Sequence, residues 1–135
     1  ATVFNGSVTL GTEVSSWMAG LGYEAPFQSA KLATSMQDGP TLTQRTRINK
    51  LGLLLAYTHP KGLEFGPDFD TMDPMPDIED GTSVDTDAVW DDYDQDMIEF
   101  PGRWDTDNRL CLKAAAPRPV TVLAAVINID RQRTG

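Results

Sequence analysis

Carboxylates are the side chains of this sequence most able to do chemistry, and their spacing limits what that chemistry would be. Residues 64–107 carry 16 Asp and Glu against one base, Arg103, a net −15; the remainder carries 4 acids against 10 bases, a net +6. Acids at alternate positions are the raw material of an oxygen-donor calcium loop. Asp92-Tyr93-Asp94-Gln95-Asp96 places them at the first, third and fifth positions of an EF-hand-like loop. The sixth position, where the sharp turn needs glycine, is Met97, and the twelfth, where a bidentate glutamate belongs, is Arg103. The motif therefore fails. Asp68, Asp70 and Asp73 could still meet Asp105, Asp107 and Asn108 as an irregular oxygen site, but a solvated acidic surface is the favoured reading. No bound metal is expected.

The other reactive side chains are sparse. His59 is the single histidine and Cys111 the single cysteine, so a zinc site would have to draw on carboxylates. A Ser–His–Asp or Cys–His arrangement would have to recruit His59 from a turn containing Pro60. Nothing resembles a nucleophile elbow or a glycine-rich phosphate loop. Among so many acids, a carboxylate pair for glycoside hydrolysis can be drawn anywhere and carries no information. Cys111 falls in an apolar stretch, where a buried, inert thiol is the ordinary outcome. Asn5-Gly6-Ser7 matches a glycosylation sequon, but a hairpin turn explains it better. Trp17, Trp90 and Trp104 could form a carbohydrate platform, although core and interface are the commoner uses of tryptophan. The sequence therefore predicts no catalytic residue, no enzyme activity and no cofactor. The acidic block would repel phosphates, which disfavours a DNA-reading domain.

These groups must be positioned by a single domain, since 135 residues fall within the ~100–200 of one core. An apolar fraction of 40% is enough for that core and argues against a disordered chain. The strongest apolar stretches, 51–57 and 120–129, are shorter than the ~20 residues of a membrane helix, so no membrane anchor is expected. The chain opens at Ala1 without a basic and then apolar leader, which reads as a processed chain or a piece of something longer.

The pattern is that of strands. Residues 3–10 surround Asn5-Gly6, a strong two-residue turn signal. In 17–27, Trp17, Ala19, Leu21, Tyr23, Ala25 and Phe27 share one side of a period-2 ribbon, and Pro26 marks an edge. Residues 45–57 fit either a strand or a helical stripe, and Gly52 tips the reading to a strand entering the core. Residues 58–62 read as a turn, 63–65 and 97–100 as short strands, and 110–113 as a strand. Residues 67–96 read as a long acidic loop, and 114–119 as a connector stiffened by Pro117 and Pro119. Apolar residues on both sides of 120–130 predict a central strand covered on both faces. No confident helix remains. The predicted class is all-β, an antiparallel sandwich or barrel with a long acidic loop, forming one domain over residues 1–135.

Phe100-Pro101-Gly102-Arg103-Trp104-Asp105-Thr106-Asp107 followed by Pro117-Arg118-Pro119-Val120-Thr121-Val122-Leu123-Ala124-Ala125-Val126 carries a resemblance. It is similar to the carboxyl-terminal part of bacteriophage short-tail proteins, the tail nozzle (tail tubular protein B) and the related packaged-DNA stabilisation proteins. Earlier segments agree in order: Gly20-Leu21-Gly22-Tyr23, then Gln44-Arg45-Thr46-Arg47-Ile48 leading into 51–55, then Gly62-Leu63-Glu64-Phe65-Gly66. The resemblance spans roughly residues 14–130. It departs from the family at Arg118, where an apolar residue commonly sits between the prolines, and in length, since family members are much longer.

The resemblance implies a non-catalytic structural subunit of a virion tail. It would be a segment of a longer protein and would assemble with other copies into a ring, expected to be a hexamer, that touches other tail proteins and lets DNA pass without specific binding. In such a channel the acids gain a meaning, because a carboxylate-lined wall repels phosphates over the ~8–10 Å screening length. Asp85, Asp87, Asp91, Asp92, Asp94 and Asp96 are the candidate channel-facing acids, with Trp90, Tyr93 and Arg118 as candidate interface residues. The alternative is a calcium-dependent β-module that binds carbohydrate or protein.

Overall fold

A computed structural model describes residues 4–17, 19–33, 35–36, 39–40, 43–76, 78–79, 82–83, 88–94, 97–115 and 117–132. Its strands in chain order are β1 (Glu24–Gln28), β2 (Ser35–Met36), β3 (Gly39–Pro40), β4 (Thr46–Thr58), β5 (Leu63–Asp68) and β6 (Thr71–Pro74). They continue with β7 (Ile78–Glu79), β8 (Thr82–Ser83), β9 (Trp90–Tyr93), β10 (Ile98–Glu99), β11 (Cys111–Ala115) and β12 (Val122–Arg131). There is no helix among the described residues, as the sequence predicts.

Two antiparallel sheets face each other and do not close into a barrel. The first runs β1-β11-β5-β6. The second runs β10-β4-β12, with β9 also pairing β4. In the first sheet Phe27, Leu112 and Phe65 lie in one row and Ala25, Ala114 and Leu63 in the next, all on the inner face. Lys113 and Glu64 alternate to the outer face and pair at 3.4 Å. In the second sheet Leu51, Leu53 and Leu55 point inward and are essentially fully buried.

Ile48 is also buried, so β4 shifts phase across Asn49 and Lys50, where the β12 register shifts too. A second irregularity falls at Tyr57, whose φ of 46° is the left-handed conformation, although the pairing with β9 keeps one register on both sides of it. Helical periodicity in 45–57 was this irregular strand. Phe100 completes the core, stacking on Phe65 with ring centroids 6.0 Å apart. Each fully buried Leu or Ile of this cluster contributes ~1.5–3 kcal/mol of burial.

Turn chemistry follows the sequence in two places. Asn5 and Gly6 have φ of 49° and 76°, the two positive values of a tight hairpin turn, and the Phe4 and Ser7 backbones exchange two hydrogen bonds. Gly102 passes against β4 so closely that an added Cβ would lie 2.0 Å from the Ile48 carbonyl oxygen.

Three expectations are corrected. Strand β12 is not central: among the described residues it pairs with β4 alone, and Leu123 and Val126 are 65% and 57% exposed. A register shift between Val122 and Ala124 breaks the simple alternation read from the sequence. Only the end of the 17–27 ribbon is a strand, with Trp17 and Leu21 exposed and Pro26 on an edge strand as predicted. Finally, 67–96 is not one continuous loop, because β6, β7, β8 and β9 all fall inside it. Strands of two to four residues interrupted by acids leave too few consecutive apolar residues for the period to register.

Candidate functional site

The two sheets leave two contrasting margins. One is formed by β6 of the first sheet and β9 with β10 of the second; the other by β1 and β12. Phe65, on the strand next to β6, stacks on Phe100 beside β10, which places the first pair together. A shared groove places β1 opposite β12.

On the β6/β9 margin, strand β9 sorts its side chains by burial. Tyr93 pairs with Leu55 and enters the core, while Asp91, Asp92 and the following Asp94 are exposed. Trp90 is half-buried, packs against the core and lies 4.6 Å from Tyr93 between ring centroids. Asp70 and Asp73 are exposed at β6. Of the candidate channel-facing acids, the fold thus brings Asp91, Asp92 and Asp94 to one solvent-facing margin. Asp85, Asp87 and Asp96 lie outside the described residues. Tyr93, expected at an interface, is instead a core residue of this chain, because its ring faces Leu55 rather than solvent. Trp90 keeps part of its surface available. Arg118 is exposed in the connector between β11 and β12, far along the chain from the acids, and donates to the Lys61 carbonyl at 3.5 Å.

Two of the carboxylates considered for an oxygen site, Asp68 and Asp105, hold the backbone instead. Asp68 Oδ1 accepts the amides of Asp70 (3.0 Å) and Thr71 (2.8 Å), and Oδ2 accepts from Arg103. Desolvation pushes the Asp68 carboxyl up, but these amides and the Arg103 guanidinium together hold it below its ordinary range. Asp105 Oδ1 accepts the amides of Asp107 and Thr106, which, with the Arg103 and Arg45 charges, also hold it low. Asp107 pairs with Arg109 at 3.0 Å. Among the described residues no group of three or more His, Cys, Asp or Glu is arranged to hold a metal ion.

Sequence reasoning missed the structural centre of this loop. Asn108 is buried, and its Nδ2 donates to the Thr46 carbonyl (2.5 Å), Thr46 Oγ1 (2.7 Å) and the Asp105 carbonyl (3.1 Å). The tethers Thr46 N to Asp105 O and back fix the loop on the start of β4. No spacing signal in the sequence links residues 46 and 108. His59 Nδ1 accepts the Lys61 amide within its own turn, and Cys111 is a buried thiol whose pKa is raised by desolvation.

On the β1/β12 margin the chemistry is apolar. Ala25, Phe27, Leu63, Leu110, Leu112, Ala114, Val120, Val122 and Ala125 line a groove of about 360 Å³ between the sheets. Phe27 is 54% exposed at its rim and Tyr23 lies just before β1, also exposed. The groove's lining is apolar side chains, and Phe27 and Tyr23 add exposed aromatic surface beside it. No protein-family model and no curated protein matches this chain.

Proposed function

We propose that the chain is a non-catalytic structural subunit of a phage tail tube or nozzle, assembling through its apolar margin and presenting its acidic margin to passing DNA. The observation that carries the reading is the segregation itself: an apolar groove beside the open β12 edge on one margin, and exposed carboxylates at β6 and β9 on the other. An assembly protein needs a surface that sticks to neighbours and, where DNA slides past, a surface that does not stick to phosphates. The sequence resemblance to short-tail proteins supports the same role, as does the use of Asp68 and Asp105 in turns rather than around an open reaction centre.

The reading predicts that concentrated protein forms closed rings, visible by electron microscopy, with Asp91, Asp92 and Asp94 on the inner wall. Substituting all three by Lys should make those rings retain duplex DNA at physiological salt, where the parent does not. Rings carrying these acids on the outer wall, or a preparation that never closes into rings, would overturn it.

A further inference from the structure

Strand β12 is lightly protected as a sheet edge: its two register shifts flank a regular stretch from Ala124 to Asn128, and its charges, Asp130 and Arg131, lie at its end. Across Val122, Leu123, Ala124, Ala125, Val126, Ile127, Asn128 and Ile129 there is no charge, no proline and no glycine. Among the described residues it pairs on one side only, along a strand of ten residues. A long, apolar, unpaired edge is a template for another strand. The opposing edge, β1, is different: Pro26 removes a backbone donor, so β1 is blunted for pairing while its Ala25 and Phe27 still line the groove. An added strand would therefore hydrogen-bond to β12 and lay its apolar side chains across the groove toward β1.

The amino-terminal arm has the matching character. Residues 4–23 carry one charge, Glu13, in a chain that is otherwise rich in them. Within 8–14, Val8, Leu10, Thr12 and Val14 fall on one side of a period-2 strand, three of the four apolar, and Thr9, Gly11 and Glu13 on the other. All three apolar residues are exposed, at 43%, 48% and 51%. The arm meets the domain at Gly20, where an added Cβ would sit 2.8 Å from Pro117 Cβ, and from there its apolar side chains project into solvent.

We propose that residues 8–14 of a second copy of this chain add to the β12 edge as a strand, with Val8, Leu10 and Val14 filling the groove between β1 and β12. The occupant is a second copy because one exchange covers both surfaces that a single chain leaves bare, the groove and the arm. Edge-to-edge pairing of two β12 strands would satisfy the edge and leave the groove and arm exposed. The contact is head-to-tail, since the arm of one copy meets the groove of the next, and such contacts generate rings or open chains. The proposal goes beyond the tail-tube reading and does not need it.

Two measurements on the full chain test it. The first is solution mass by light scattering for the parent and for Val8→Asp with Leu10→Asp. Both residues are exposed in the arm, so the variant keeps its fold and melting temperature. Each lost anchor weakens association roughly tenfold or more, ~100-fold for the pair. In the second, Leu10 is replaced by the photo-crosslinker benzoylphenylalanine and the chain is mixed with an isotopically heavy parent chain. Crosslinks from light to heavy chains onto residues 120–129 or 24–28 are expected. A parent that stays monomeric, an association untouched by the arm variant, or crosslinks confined to one chain would each overturn the exchange. Arm-linked open chains without a channel would remove the tube reading and leave the exchange standing. Rings whose arms stay out of the groove would do the reverse.

Discussion

The two margins of this sandwich are built from the same kind of strand and differ in what lies behind the exposed residue. At β9, Asp91 and Asp92 project outward while their neighbour Tyr93 is anchored in the core beside Leu55. At β12, Leu123 and Val126 project outward, and the inward Val122 and Ala125 face a groove instead of a filled core. The acidic margin is thus internally complete and its charges are free to act on solvent. The apolar margin is internally incomplete. Folding stability and surface function are separable on the first and merged on the second.

Substitutions can break that contrast, the largest effect first. Tyr93→Ala should cost ~3–5 kcal/mol of stability in denaturant unfolding, as for a large aromatic removed from a core. Leu123→Ala, by comparison, should stay within about 0.5 kcal/mol in the isolated chain while weakening self-association. A stability loss at Leu123 near that at Tyr93 would show that β12 is covered within one chain.

Asn108→Ala should cost ~1–3 kcal/mol, because Thr46 and Asp105 lose their buried donor. The effect should appear as lowered thermal stability without a change in self-association, since the node lies away from the groove. Loss of association in a folded Asn108→Ala chain would tie the two margins together.

Acid should act through the loop next to the acidic margin. Asp68 and Asp105 are both held below their ordinary range, so their contribution is present above the unfolded carboxyl value of ~3.9 and is lost as pH falls through their lower folded values. Melting temperature should therefore drop through that acid window, and Asp68→Asn with Asp105→Asn should flatten the drop. At the alkaline end Cys111 works in the opposite sense. Its thiol pKa is raised, so its contribution is complete below the unfolded value of ~8.5 and fades as pH rises toward the folded one. Cys111→Ala should remove that component.

The smallest stability effect belongs to the acids themselves. Asp91→Asn, Asp92→Asn and Asp94→Asn together should change stability by no more than ~0.5 kcal/mol each, because all three are exposed. Under the proposed tail-tube function, the triple variant should nevertheless retain more duplex DNA than the parent, most visibly at low ionic strength, and an unchanged retention would count against that function.

The amino-acid sequence by itself determined the all-β class, the strand character of 46–58, the Asn5-Gly6 turn, the edge position signalled by Pro26 and the separation of an acidic block from a basic remainder. All of these rest on local rules: side-chain period, turn conformations, a missing backbone donor, simple charge. Only the tertiary structure decided that β12 is an edge, that Tyr93 turns inward while Asp92 does not, and that Asn108 ties its loop to Thr46. The apolar run at 120–130 looks the same in sequence whether its second face meets a sheet or nothing. That depends on partners far along the chain, such as Ile48 opposite Ile129, and on the register shift that sets Val122 and Ala125 over the groove. Pairing across such distances is fixed by the whole set of contacts at once, and no single segment encodes it.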